Sequence, residues 1–167
     1  MWELRRAGAA DLDAIMAIET TTFENDAWSR TGMRGELLNV HSHYLVATRA
    51  ADPALIDAYA GLMAPPGSPQ ADIQTIAVAA HARRRGLGRR LMQAMIEEAS
   101  ERGADELFLE VRADNPGAQE LYASLGFEAI AVRPAYYQPD GVDAVVMRRA
   151  LRRRGSAPDG PADREAP

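Results

Sequence analysis

Residues 73 to 99 read IQTIAVAAHARRRGLGRRLMQAMIEEA. An apolar stretch passes through Arg83-Arg84-Arg85-Gly86-Leu87-Gly88 into a helical pattern. Leu87, Leu91, Met95 and Ala99 recur on one stripe, which predicts a helix beginning near Arg85 after a strand. A strand running into Gly-x-Gly and then a helix leaves free backbone N–H groups at the helix start. Those donors and the helix dipole favour an anion. Gly86 and Gly88 carry no Cβ, so a phosphate can lie against the main chain. Arg83, Arg84, Arg89 and Arg90 add charge and forked donors. Pyrophosphate is the natural guest.

Several readings of the hexapeptide compete. A P-loop needs Gly-Lys-Ser/Thr, and the chain contains no lysine, so that reading is excluded. The dinucleotide fingerprint needs glycine or alanine where Leu91 stands, and its first glycine should come directly off the strand. Glu110 does roughly fit the acidic position that this fingerprint wants. The R/Q-x-x-G-x-G/A signature of acyl-coenzyme A binding is met by residues 83–88. An arginine-capped helix start with no ligand is the remaining alternative, and the hexapeptide alone leaves it open.

Working outward, WELRRA predicts a short first strand. Leu12, Ile15, Met16 and Glu19 fall at helical spacing after a possible N-cap, Asp11. Ser29 is the N-cap expected for a second helix carrying Met33 and Leu37, weakened by two glycines. HYLVATRA and ALIDAYAGLMA predict a hairpin joined by ADP. The prolines of APPGSPQ mark a loop before the strand of residues 72–80. Gly103 is placed to end the long helix. DELFLEVRA predicts a central strand. NPGAQELYASLGF predicts a helix with Asn115 as N-cap, Pro116 at its first position and Gly126 at its end. Two further strands, EAIAVRP and DAVVMRRAL, are separated by AYYQPDGV. The order describes a single mixed α/β (α+β) domain over residues 1–151. The tail, residues 152–167, has no apolar periodicity and is expected to be disordered.

Composition narrows the chemistry. With 167 residues the chain can bury one core. Cysteine is absent, which excludes a disulfide framework and a cysteine nucleophile. The three histidines, His41, His43 and His81, are too scattered for a metal site, so no metal is expected. The net charge of −5 argues against non-specific nucleic-acid binding, even though arginines cluster at 83–90 and 148–154. No secretory signal or membrane span is expected, and the expected location is the cytoplasm.

Three blocks in order, TIAVAAHARRRGLGRRLM, LFLEVRADNPGAQELYASLGF and YYQPDGVDAVVM, together resemble the GNAT superfamily of N-acetyltransferases. Within it they look like RimI-type enzymes, which acetylate the N-terminal alanine of a small-subunit ribosomal protein. The resemblance spans about residues 1 to 151. It implies a mixed, mostly antiparallel sheet flanked by helices, with a bulge that splays two central strands at the acyl-CoA site. It implies acetyl-CoA as co-substrate along Ile76, Ala77 and Val78. It places the pyrophosphate on the loop Arg84, Arg85, Gly86, Leu87, Gly88 and Arg89, with Arg83 and Asn115 as further cofactor contacts. Glu110 matches the proposed general base and Tyr122 the proposed general acid. Trp28, Tyr136 and Tyr137 match the acceptor groove. A monomer acting on the N-terminal segment of a protein is expected, with no membrane or nucleic-acid partner. TTFENDAWSR is longer than the F-P-W-S usual in relatives, at the place where the acceptor is expected.

The residue chemistry agrees with these implied roles. A peptide α-amine has a pKa near ~7.7–8.0, against about 10.4 for lysine, so it is partly neutral at pH 7. A carboxylate can remove the remaining proton, directly or through a water. A phenol near ~10 can protonate a departing thiolate near ~8.5 when the two are held in contact. Without cysteine, direct attack on the bound thioester is the remaining route. Structural alternatives stand beside these: Glu110 could be an ion-pair partner, Tyr122 a core residue, and Tyr136 and Tyr137 loop anchors. Acetylation of lysine side chains or small amines, and a non-catalytic acyl-CoA-binding module, are the alternative functions.

Overall fold

The computed structural model describes residues 1–151; the tail expected to be disordered, residues 152–167, lies outside the described residues. The chain runs β1 (Trp2–Arg6), α1 (Leu12–Thr22), α2 (Arg30–Leu38), β2 (Ser42–Arg49), β3 (Asp52–Met63), β4 (Gln70–Val78), α3 (Leu87–Glu101), β5 (Glu106–Arg112), α4 (Pro116–Ser124), β6 (Glu128–Tyr137) and β7 (Val142–Ala150). The strands form one seven-stranded sheet in the order β1-β2-β3-β4-β5-β7-β6. Every neighbouring pair is antiparallel except β4 and β5. The mostly antiparallel mixed sheet flanked by helices is therefore as expected.

The parallel pair positions the site. β4 and β5 are in register only at Gln70–Glu106, Ala71–Leu107 and Asp72–Phe108. Beyond Asp72 the strands part, each still paired to its other neighbour. A bulge lies next to the splay, on the β3 side. Gly61 pairs with Thr75 while Leu62 pairs with Ile73, so Gln74 is the extra residue of a bulge, which bends the strand. The bulge expected at Ile76–Val78 thus lies at Gln74, ahead of them.

Tyr44 fixes that bulge. Its ring lies over Gly61, where a Cβ would sit 2.1 Å from ring carbon Cζ. Its hydroxyl donates to Gln74 Oε1 at 2.9 Å, and Gln74 Nε2 donates to Glu36 Oε1 of α2 at 3.1 Å. The bulged side chain is therefore held from two elements at once.

α3 packs on one face of the sheet. Leu87, Leu91, Met92, Met95 and Ala99 are buried with Leu107, Leu109 and Val111 of β5. α1 and α2 cover the other side through Leu12, Ile15, Ile18 and Met33. The caps follow the sequence at Ser29, whose Oγ accepts from Gly32 N–H, and at Asn115, whose Oδ1 accepts from Ala118 N–H. Asp11 does precede α1, but its carboxylate does not cap that helix: it pairs with Arg5 and accepts from Gly8 N–H.

Two boundaries differ from expectation. Asp52 and Pro53, read as turn, open β3, where a register shift between Thr48 and Arg49 keeps Pro53 out of the ladder. Ala135, Tyr136 and Tyr137, read as loop, belong to β6, which is carried past an irregularity between Arg133 and Tyr137. Among the described residues no helix is long and apolar enough to cross a membrane.

Candidate active site

Two clefts open where β4 and β5 part. One, of about 1000 Å³, runs from the C-terminal end of α1 along β4 to the glycine loop and α4. The other, of about 1040 Å³, lies between β4, β5 and the β6–β7 pair. They share a wall that includes Trp28, Gln74, Glu110 and Tyr137.

The first cleft gathers most of the residues that the sequence nominated for acyl-CoA: Ile76, Ala77 and Val78 of β4, then Arg83, Arg84, Gly86, Gly88, Arg89 and Asn115. Beyond Asp72 the β5-facing edge of β4 has no strand partner. Gly86 is the N-cap of α3 with φ +80°, and no side chain caps this helix. Arg84 also has positive φ, at 66°. Left-handed residues beside an uncapped helix start turn successive N–H groups toward one point, a geometry that binds anions. Arg83 Nε donates to Val78 O at 2.9 Å, anchoring the loop to the strand end. Arg89 reaches Ser124 Oγ at 2.9 Å. The expected acyl-CoA contacts do not all line the cleft with their side chains. Leu87 is buried in the core at 1% exposure and can offer the loop only its main chain. Arg85 lines neither cleft, and Arg90 turns away to Trp2 O at 3.1 Å.

Glu110 faces both clefts from β5. Its Oε2 lies 2.7 Å from Arg133 Nε of β6, so the carboxylate has an ion-pair partner that the sequence did not suggest. Tyr136 lies by the same carboxylate, whose hydrogen bond is the main cause of its raised pKa. Tyr122 of α4 lines the first cleft. Its ring is buried edge-on to Phe127, and burial pushes its pKa up to about 12. Among the described residues its hydroxyl has no hydrogen-bond partner. Glu110 and Tyr122 therefore line one cleft, a partly exposed carboxylate and a neutral phenol.

Tyr136 lines only the second cleft, while Trp28 and Tyr137 line both. Burial, then the charges of Glu110 and Asp26, raise the Tyr137 pKa well above the usual phenol value. Arg112 lies 5.2 Å from the Tyr137 ring centroid and bonds Asp114 and Asp140. It also approaches Asp26 at 3.6 Å, linking the α1–α2 segment to the β6–β7 turn across the shared wall.

Sequence reading missed Gln74, Arg133 and the cleft role of Glu19. Glu19 did carry a signal: it is a carboxylate on the apolar stripe of α1. Gln74 and Arg133 carried none, because a bulge position and a cross-strand pair depend on register.

A profile of the acetyltransferase (GNAT) family matches residues 11–127. The chain is 34% identical to the N-alpha-acetyltransferase RimI of Mycobacterium tuberculosis, over 84% of this chain and 87% of that one. It is 39% identical to an uncharacterized protein of Mycobacterium leprae over 84% of its own length, but spans only 38% of that longer relative. The fold is similar to the crystal structure of the ribosomal-protein-S18-alanine N-acetyltransferase from Escherichia coli. The TM-score is 0.79 at 29% identity, covering 96% of this chain and 98% of the other.

Proposed function

This chain belongs to the acetyltransferase (GNAT) family, and we propose that it transfers the acetyl group of acetyl-CoA to the N-terminal α-amine of a protein. The acceptor we infer is an N-terminal alanine, as in the ribosomal bS18 acetyltransferases to which the chain is similar. The observation that carries the reading is the meeting of two clefts at Glu110. One cleft offers an anion-binding loop and an open strand edge. The other is lined by aromatic and acidic groups suited to a peptide.

In this reading the α3 start and Arg84 take the pyrophosphate, and the free edge of β4 takes the pantetheine arm. The acceptor arrives through the second cleft. Glu110, directly or through one water, accepts a proton from the α-ammonium. The freed amine nitrogen attacks the thioester carbon, a C–N bond forms, and the C–S bond breaks. Tyr122 gives its proton to the departing sulfur, and the second proton, lost from the nitrogen as the amide forms, passes to solvent, which restores the phenol. Because the Tyr122 pKa is raised, it holds that proton throughout the neutral range. Positioning of the two substrates supplies much of the acceleration.

The test is CoA release and peptide mass after incubation with acetyl-CoA. Peptides with a free N-terminal alanine are compared with α-blocked peptides that carry lysine. Acetylation of the α-amine alone supports the proposal. Preference for the ε-amine would replace it with lysine acetylation, and binding of acetyl-CoA without turnover on any amine would make the chain a non-catalytic module.

A further inference from the structure

We propose that Glu19 is a positioning residue for acceptor binding: its buried carboxylate ties the Trp28 segment to β4 where the strands part. This rests on the acetyl-transfer reading above and adds to it a residue that touches neither reacting atom.

Glu19 is 1% exposed. It stands on the apolar stripe of α1 with Leu12 and Ile15, and among the described residues no cation pairs with it. A buried carboxylate is costly unless its oxygens are satisfied. Both are. Trp28 N–H donates to Oε2 at 3.0 Å, and Thr75 Oγ donates to Oε1 at 3.1 Å. Tyr59, buried in β3, sits with its hydroxyl 3.3 Å from Thr75 Oγ and extends the chain of contacts into the sheet. Burial raises the Glu19 pKa, opposed by these two bonds, while Asp26 adds a further upward push.

The two groups that Glu19 joins are those that shape the shared wall. Thr75 follows Gln74, the bulged residue, and pairs with Gly61 opposite. Trp28 precedes Ser29, the N-cap of α2, in a segment with no helical ladder of its own. Its N–H finds its partner in Glu19, and its side chain faces both clefts. Loss of the carboxylate frees that segment on the acceptor side. The glycine loop and α4, at the other end of the first cleft, keep their own anchors at Val78 and Ser124. Acceptor affinity should therefore fall while acetyl-CoA affinity holds.

The experiment is steady-state kinetics of Glu19→Ala and Glu19→Gln with acetyl-CoA and a peptide carrying a free α-amine. Acrylamide quenching of Trp28 fluorescence is read alongside, with Trp28→Phe as the blank. Glu19→Ala is expected to raise KM for the peptide about tenfold and to leave KM for acetyl-CoA within about twofold. Glu19→Gln, which keeps one carbonyl acceptor, should rise less, and quenching of Trp28 should increase in the alanine variant. Unchanged peptide KM, or an equal rise in both KM values with unchanged quenching, overturns the proposal. If Glu19→Ala does not fold, Thr75→Val removes one donor at constant shape. It should raise peptide KM alone, and no rise counts against the tether. A wild-type protein inactive on every N-terminal peptide strikes the acetyl-transfer reading instead. The quenching comparison then decides the tether by itself: increased quenching keeps it and unchanged quenching overturns it.

Discussion

Arg133 Nε lies 2.7 Å from Glu110 Oε2, so the carboxylate proposed as base is ion-paired before an acceptor arrives. Both side chains are partly exposed, at 59% and 30%, and such a pair contributes at most about 1 kcal/mol. An incoming ammonium can therefore compete for it. Glu110→Gln should lower kcat by ~10²–10⁴-fold, the usual share of acid–base catalysis, with acetyl-CoA Kd unchanged. Arg133→Gln should change kcat by less than about tenfold and shift stability by under ~1 kcal/mol. Single-turnover rates and urea midpoints check both.

Tyr122 sets the alkaline behaviour. Its pKa is raised by burial to about 12, so it keeps its proton through the whole working range. The kcat profile should show no basic limb from this group up to about pH 10.5, as measured by CoA release in a buffer series. Stability carries the matching sign. An unfolded phenol ionises near ~10 while the folded one does not, so this contribution is complete below ~10 and is lost as pH rises toward 12. Tyr122→Phe should flatten part of the fall in urea midpoint above pH ~10 while lowering kcat at pH 8.

The two glycines of the loop should fail differently. Gly86 has φ +80°, where a Cβ costs roughly 1–2 kcal/mol. Gly88 is helical, and a Cβ there would meet Leu121 at 3.6 Å and Val78 at 3.8 Å, ordinary contacts. Gly86→Ala should lose both stability and acetyl-CoA affinity. Gly88→Ala should leave stability within about 0.5 kcal/mol and weaken acetyl-CoA alone. Calorimetric Kd and thermal midpoints separate the two.

Gly61 is a packing requirement. A Cβ would overlap the Tyr44 ring at 2.1 Å, and the ring cannot retreat without releasing Gln74. Gly61→Ala should destabilise by ~1–3 kcal/mol, as overpacking does. Adding Tyr44→Ala should restore part of that, so that the double variant costs less than the sum. Urea unfolding of the four proteins gives the coupling.

Element order, the caps at Ser29 and Asn115, and the helix-ending Gly103 and Gly126 could be read from the sequence. Each depends on residues close together in the chain: helical spacing, a glycine after the last turn, an asparagine before a proline. The boundaries at Pro53 and Tyr136 were misread because register shifts let residues that signal turns lie within strands.

By itself, then, the sequence determined the local elements and the arginine–glycine loop ahead of α3, and its family resemblance singled out Glu110 and Tyr122 as a carboxylate and a phenol. Only the tertiary structure decided that β4 and β5 part after Asp72, that Gln74 is the bulged residue, that Arg133 pairs with Glu110 and that Glu19 meets Thr75. The physical reason is that these depend on which strand neighbours which and in what register. Arg133 reaches Glu110 across the intervening β7, and Glu19 reaches Thr75 from a residue 56 positions away in the chain.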